Sequence, residues 1–147
     1  FPNLDRVPEP NMTMHFVAFS KTQHDTTDWE SIRNLYIDFV DGWKILEKNT
    51  AGFPNVCKTP TETELFRMLD LNRIDIALYA KLTGYEHLQM HGYDGVQHLE
   101  PPLASRDMFL YLHKTHADLG EPVAEALRSM KADGTYDQIV SETISFA

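Results

Sequence analysis

The spacing of apolar residues switches repeatedly between a period of two and a helical period, and each switch marks an element. Met12-Thr13-Met14-His15-Phe16-Val17-Ala18-Phe19 alternates and then becomes continuously apolar, which predicts a strand. Leu35-Tyr36-Ile37-Asp38-Phe39-Val40 is rich in β-formers and predicts a second strand. Phe53-Pro54-Asn55-Val56-Cys57-Lys58 predicts a shorter third. The clearest stretch, residues 61–79, reads as a capped amphipathic helix, a tight turn and a buried strand. There Leu65, Phe66, Met68 and Leu69 make one apolar helical stripe, and Leu71-Asn72-Arg73 makes a tight turn. Ile74, Ile76 and Leu78, with Ala77 between them, then read as a strand covered on both faces.

Helices are predicted between the strands. One runs from Trp43 to Asn49 after the turn at Asp41-Gly42, and one from Lys81 to Gly92, with Leu82, Tyr85, Leu88 and Met90 as its apolar members. Thr27 or Asp28 can cap a short helix through residues 29–33. Val96-Gln97-His98-Leu99 is strand-like, and Met108-Phe109-Leu110-Tyr111-Leu112-His113 predicts the last strand. Leu119, Val123, Ala126, Leu127 and Met130 fall on one helical face, with Pro122 in the first turn and Gly134 as a left-handed stop. Thr135 and Gln138 form a capping box for a final helix through Tyr136, Ile139, Val140 and Ile144. Residues 1–11, with Pro2, Pro8 and Pro10, read as an extended connector. The run of βα units implies an α/β fold with a parallel-rich sheet and right-handed crossovers. In such sheets ligands gather beyond the carboxyl ends of the strands, here at Leu78-Tyr79-Ala80.

Composition narrows the function. The 147 residues suit one domain, and a 42% hydrophobic content suits a packed core. A net charge of −9 without any Lys/Arg cluster excludes nucleic acid as a partner. One cysteine, Cys57, rules out an internal disulfide and reads as a small apolar strand residue; this fits the cytoplasm and does not exclude the periplasm. No segment approaches the ~20 apolar residues of a membrane span. The first residues lack the basic-then-apolar pattern of a signal peptide, and a start without Met suggests a chain processed or cut from something longer.

Candidate chemistry is sparse. Asp41-Gly42-Trp43-Lys44 leads from a strand straight into a helix. Exposed amide N–H groups there make an anion site, and Gly42 lets a ligand approach the backbone; the alternative is an ordinary turn with Trp43 in the core. Tyr79 either stacks on a ligand or packs at the strand end. Arg106 either grips a carboxylate in bidentate fashion or forms a salt bridge with Asp107 or Glu100. Of the seven histidines, His87/His91 and His113/His116 have pair spacing, but a firm zinc site needs a third or fourth ligand. Neither His-Glu-x-x-His, Gly-x-Ser-x-Gly nor a phosphate-cradling glycine loop occurs. The reading therefore expects no catalytic residue, no metal and no cofactor.

Four segments carry a resemblance: residues 36–47 (YIDFVDGWKILE), 65–75 (LFRMLDLNRID), 99–103 (LEPPL) and 126–136 (ALRSMKADGTY). With them the chain resembles the C-terminal portion of bacterial solute-binding proteins of the periplasmic type II fold, the family that serves polar amino-acid ABC transporters. The resemblance implies a two-lobed clamp. Residues 1–19 would be the connector and first crossing strand, 20–105 an inserted α/β lobe, and 106–147 the return strand and C-terminal helices of a truncated first lobe. The opening βαβα half of that first lobe has no counterpart. The apolar face of the last two helices would then be bare and covered by self-association, as a homodimer or by exchange between two copies.

The family's turn at Asp41, Gly42, Trp43 and Lys44 faces the cleft and touches the ligand's carboxylate, usually through a Ser or Thr that this chain replaces with Trp43-Lys44. The acid that holds a ligand's ammonium falls at Ala80 here. Asp75 would fix the turn after the helix. What the resemblance implies is a periplasmic solute-binding protein, not an enzyme, that holds a small polar or anionic ligand between two lobes. A membrane transporter or a sensor would be its partner. The alternatives are a degenerate or oligomerising domain without ligand, or an enzyme on the same fold.

Overall fold

The computed structural model describes residues 1–143 and divides into two units: His15–Ser105, and Phe1–Met14 together with the chain from Arg106 onward. In chain order the elements are β1 (Leu4–Ser20), β2 (Ile37–Val40), α1 (Lys44–Asn49), β3 (Val56–Thr59), α2 (Glu62–Asp70), β4 (Ile76–Ala80), α3 (Lys81–His91), β5 (Gln97–His98), β6 (Ala104–His113), α4 (Gly120–Asp133) and α5 (Thr135–Thr143). Short 3-10 helices cover Glu30–Ile32 and Lys114–Leu119.

In the unit His15–Ser105 the strand order is β3-β2-β4-β1-β5. β2 pairs in parallel with β3 and β4, with Ile37 opposite both Val56 and Ile76. β1 runs antiparallel to β4 and β5. Four strands therefore point one way and β1 the other, which makes the sheet parallel-rich. Alternation along β1 sends Val17 and Phe19 to one face. There they join Ala77, Leu65, Phe66 and Leu69 of α2, and Leu88 of α3 in one buried core. Phe16 points to the opposite face and meets the edge of the Trp43 ring at 5.1 Å, just before α1. The core rings meet edge to face: Phe19 with Phe66 at 5.3 Å and with Tyr85 at 5.7 Å. Such pairs contribute roughly 0.5–1.5 kcal/mol each beyond their burial.

Local chemistry sets the boundaries. The Thr61 hydroxyl caps α2 by accepting the Glu64 N–H at 3.2 Å. Asn72, at φ +57°, makes the left-handed turn that returns the chain to β4. The Asp75 carboxylate accepts the Tyr36 N–H at 2.8 Å and so ties that turn to the start of β2. Gly84 allows α3 to close on the core, since a Cβ there would lie 2.4 Å from the Phe19 ring.

In the other unit the early part of β1 places Val7 against Ala124 and Leu127 of α4. Glu9 pairs with Lys131 at 2.7 Å and with Arg128 at 3.2 Å. Tyr136 Oη donates to the Asn11 carbonyl at 2.6 Å.

Several sequence expectations are corrected. Residues 4–11 are strand rather than connector. Pro8 and Pro10, two apart, remove donors from one edge of that strand only, so the other edge remains free to pair. The α4 face is not bare, because Val7 covers it; on α5, Ile139 and Val140 are exposed. The capping box is absent: Gln138 donates to Glu142, and Asp133 accepts the Thr135 N–H. The expected Ile144 lies outside the described residues. On α3, Met90 is 73% exposed and His87 is buried instead. Cys57 is exposed because β3 ends the sheet.

Candidate functional site

The chain leaves β2, β3 and β4 at the same end of the sheet, and each exit leads into a helix within a few residues. From β2 the chain turns through α1 to β3 on one side; from β4 it goes through α3 toward β5 on the other. Two adjacent parallel strands whose connections diverge leave a crevice at their carboxyl ends. The residues at that crevice are Asp41, Gly42, Trp43 and Lys44 after β2, and Tyr79, Ala80 and Lys81 at the end of β4.

The β2 side is a turn with open space above it. Gly42 sits at φ +100°, and nothing lies within 4 Å of where a Cβ would stand. The charges beside it are paired. Asp41 accepts the Gly42 N–H at 3.0 Å and the Lys58 ammonium at 3.2 Å. Glu47 accepts Lys44 and Lys58, each at 2.8 Å. The hydrogen bond from Lys44, then that from Lys58, pulls the Glu47 carboxyl down to about 2. Glu47 first, then Asp41, pushes Lys58 up. Lys44 remains 83% exposed despite its pairing, so its ammonium is available to exchange partners.

On the β4 side, Tyr79 Oη donates to Glu62 at 2.5 Å, and its ring edge meets Phe66 at 5.8 Å. Burial, and then the Glu62 carboxylate, pushes the Tyr79 phenol up to about 12, so it stays a neutral donor. Lys81 pairs with Glu100 at 3.3 Å. Glu100 also accepts from His98 Nε2 at 2.9 Å, while His98 Nδ1 hydrogen-bonds Tyr85 Oη. One further carboxyl is enclosed: Asp38 in β2 is buried, and burial raises its pKa against a hydrogen bond from the Cys57 backbone.

Of the sequence candidates, Asp41, Gly42, Trp43, Lys44 and Tyr79 all belong to adjacent strand ends of one unit. Trp43 follows the turn and packs on Phe16, half-buried, which is the packing alternative given for it. Arg106 is an exposed residue of β6 in the other unit. Within its unit and among the described residues Arg106 makes no ion pair, and the neighbouring Asp107 accepts from Thr13 at 2.9 Å. Sequence reasoning missed Glu47, Lys58 and Glu62, whose partners lie across strand or helix boundaries. Lys44 and Glu47, three apart on a helix, were the one local signal for the network. His87 and His91 face each other at 4.3 Å between ring centroids. Among the described residues no three His, Cys, Asp or Glu groups are placed to hold a metal ion.

No family model matches the sequence. An uncharacterized protein of Shewanella oneidensis is 27% identical over 148 residues, 92% of this chain and 54% of that protein. The chain thus spans about half the length of the curated relative it matches. Among solved structures, the unliganded open L-cystine solute receptor of Neisseria gonorrhoeae matches with a TM-score of 0.76 at 16% identity, over 97% of this chain and 61% of that one. A histidine kinase sensor domain with similarity to periplasmic binding proteins matches with a TM-score of 0.70 at 17% identity, over 98% and 64%. An ancestral arginine-binding protein bound to glutamine matches with a TM-score of 0.66 at 21% identity, over 95% and 63%. Strand order and these likenesses agree: the chain has the α/β fold of type II periplasmic solute-binding proteins, over less than two-thirds of the length of those solved chains.

Proposed function

We propose that this chain is the ligand-binding part of a periplasmic solute-binding protein, serving either an ABC-type transporter or a membrane sensor by binding rather than catalysis. The observation that supports the reading is the strand topology, in which the connections leaving β2 and β4 diverge, with free space at Gly42 and with Lys44 and Tyr79 at those strand ends. Its ligand is small and polar or anionic. Lys44 supplies an exchangeable cation, Gly42 allows backbone approach, and Tyr79 supplies a neutral phenol. Ala80 offers no carboxylate for an ammonium, which favours ligands without an α-amino group.

A thermal-shift panel of organic acids, amino acids and amines tests this on the full chain. A ligand present at a hundred times its Kd stabilises by about 2.7 kcal/mol, well within reach of the measurement. Lys44→Gln and Tyr79→Phe should each weaken a ligand found in the panel. A well-folded sample that no compound stabilises overturns the reading.

A second reading rests on the pairing at the same crevice. Asp41 already occupies the Gly42 N–H and Lys58, and Glu47 occupies Lys44. A degenerate domain that no longer takes a ligand would look like this. Isothermal titration separates the two, because only the first gives saturable heat.

A further inference from the structure

Along α2 and the turn that follows it lies a concavity of about 260 Å³, lined by Glu64, Arg67, Met68, Leu71 and Arg73. It is formed within the unit His15–Ser105. Leu71 and Arg73 stand on the turn that enters β4, at the amino end of that strand and away from the carboxyl-end crevice.

Two guanidinium groups line this one concavity. Of the unit's other basic residues, Lys21, Arg33, Lys44, Lys58 and Lys81 each meet a carboxylate, and Lys48 alone does not among the described residues. Arg67 and Arg73 meet none among the described residues, although the chain carries 22 acidic residues against 13 basic ones. A guanidinium fork matches a carboxylate in bidentate geometry, and two unpaired forks on one concavity leave that demand open. The floor is apolar: Met68 is half-buried and Leu71 is 50% exposed. The volume falls below the roughly 300–1,000 Å³ of small-molecule pockets and suits a side chain or two.

We infer that this concavity docks an acidic segment of a protein partner, in which a Glu or Asp carboxylate engages Arg67 and Arg73 while a neighbouring aliphatic side chain rests on Met68 and Leu71. The fit is one of charge complementarity plus a small apolar contact, at an edge of the unit that leaves the ligand crevice free. Binding of this kind is steered by charge and weakened by salt.

The test uses two fluorescein-labelled, acetylated hexapeptides, one reading Leu-Glu-Leu-Glu-Gly-Gly and the other with glutamine in place of both glutamates. Fluorescence anisotropy with the full chain should show the acidic peptide binding at least about tenfold more tightly, and 0.5 M salt should erase the difference. Amide shift perturbations on adding the acidic peptide should cluster at residues 64–73. The double variant Arg67→Ala/Arg73→Ala should lose at least about tenfold in affinity at an unchanged melting temperature, since both side chains are exposed. Glu64→Gln should keep or improve binding. Equal binding of the two peptides, or an unaffected double variant, overturns the inference. Displacement of the acidic peptide by inorganic phosphate at equal concentration also overturns it, because the site would then be one for small anions.

Discussion

The two units solve the burial problem differently. His15–Ser105 encloses four phenylalanines, Phe16, Phe19, Phe39 and Phe66, with helices on both faces of a five-strand path. The other unit has a buried cluster of Val7, Ala124 and Leu127, and leaves Met108, Leu110, Tyr111, Leu119 and Ile139 exposed. Beside so small a cluster stand its polar ties, Glu9 to Arg128 and Lys131 and Tyr136 to Asn11. The difference teaches where each unit's stability resides. Close packing dominates the first, so volume changes should be felt most there. The second should respond to its polar ties and yield sooner.

The largest expected effect tests the packed side. Phe66→Ala removes a fully buried ring that touches Phe19, Tyr79 and His87, and should cost about 3–5 kcal/mol in chemical denaturation. Leu127→Ala in the small cluster should cost nearer 2 kcal/mol. Equal losses would erase the contrast between the units.

Next comes Gly84→Ala. Its Cβ would meet the Phe19 ring at 2.4 Å, and that ring is held by Phe66 and Tyr85. A loss of about 1–3 kcal/mol is expected, and a neutral outcome would mean that the α3 contact is loose.

A third test is pH. His87 is buried, its Nε2 has no hydrogen-bond partner, and its ring stacks on Phe66 at 5.0 Å. Burial first, then the neighbouring His91, lowers its pKa, while Glu62 at 3.7 Å opposes the shift. The unfolded chain therefore takes up this proton more readily than the folded one. Stability from this site is present above the ordinary histidine value of about 6.5 and is lost as pH falls toward the lower folded value. The slope should stay below that of one proton, about 1.4 kcal/mol per pH unit. Urea melts between pH 7.5 and 5 should show it in the wild type and lose it in His87→Phe. A slope unchanged by the substitution would assign the effect elsewhere.

The smallest effect probes the polar side. Tyr136→Phe deletes the hydrogen bond to Asn11 while keeping the ring, and should cost about 1 kcal/mol. A much larger loss would mean that the second unit depends on this tie more than on Val7.

Legibility followed the range of the interaction. The segment 61–79 announces itself because its cap, helix, turn and strand are all built from neighbours in the chain. The observed Thr61 cap and the positive φ at Asn72 match that reading. Asp75 was expected to fix the turn, and it does so through the Tyr36 amide. The early part of β1 was not legible, because three prolines mask a strand whose partner, β6, lies about a hundred residues on. His87 was weighed only as half of a histidine pair with His91, since nothing nearby in sequence reveals that Phe66 will stack on it.

By itself the sequence determined the alternation of strand and helix, the parallel-rich α/β class and the turn at Asp41-Gly42, because periodicity and backbone preference act over a few residues. Only the tertiary structure decided that Asp41 and Glu47 would share Lys58, that Tyr79 would be held by Glu62, and that Arg67 and Arg73 would share one concavity unpaired. Those outcomes depend on which strands become neighbours and how closely helices approach them. A charge finds its partner across that distance, which no local pattern encodes.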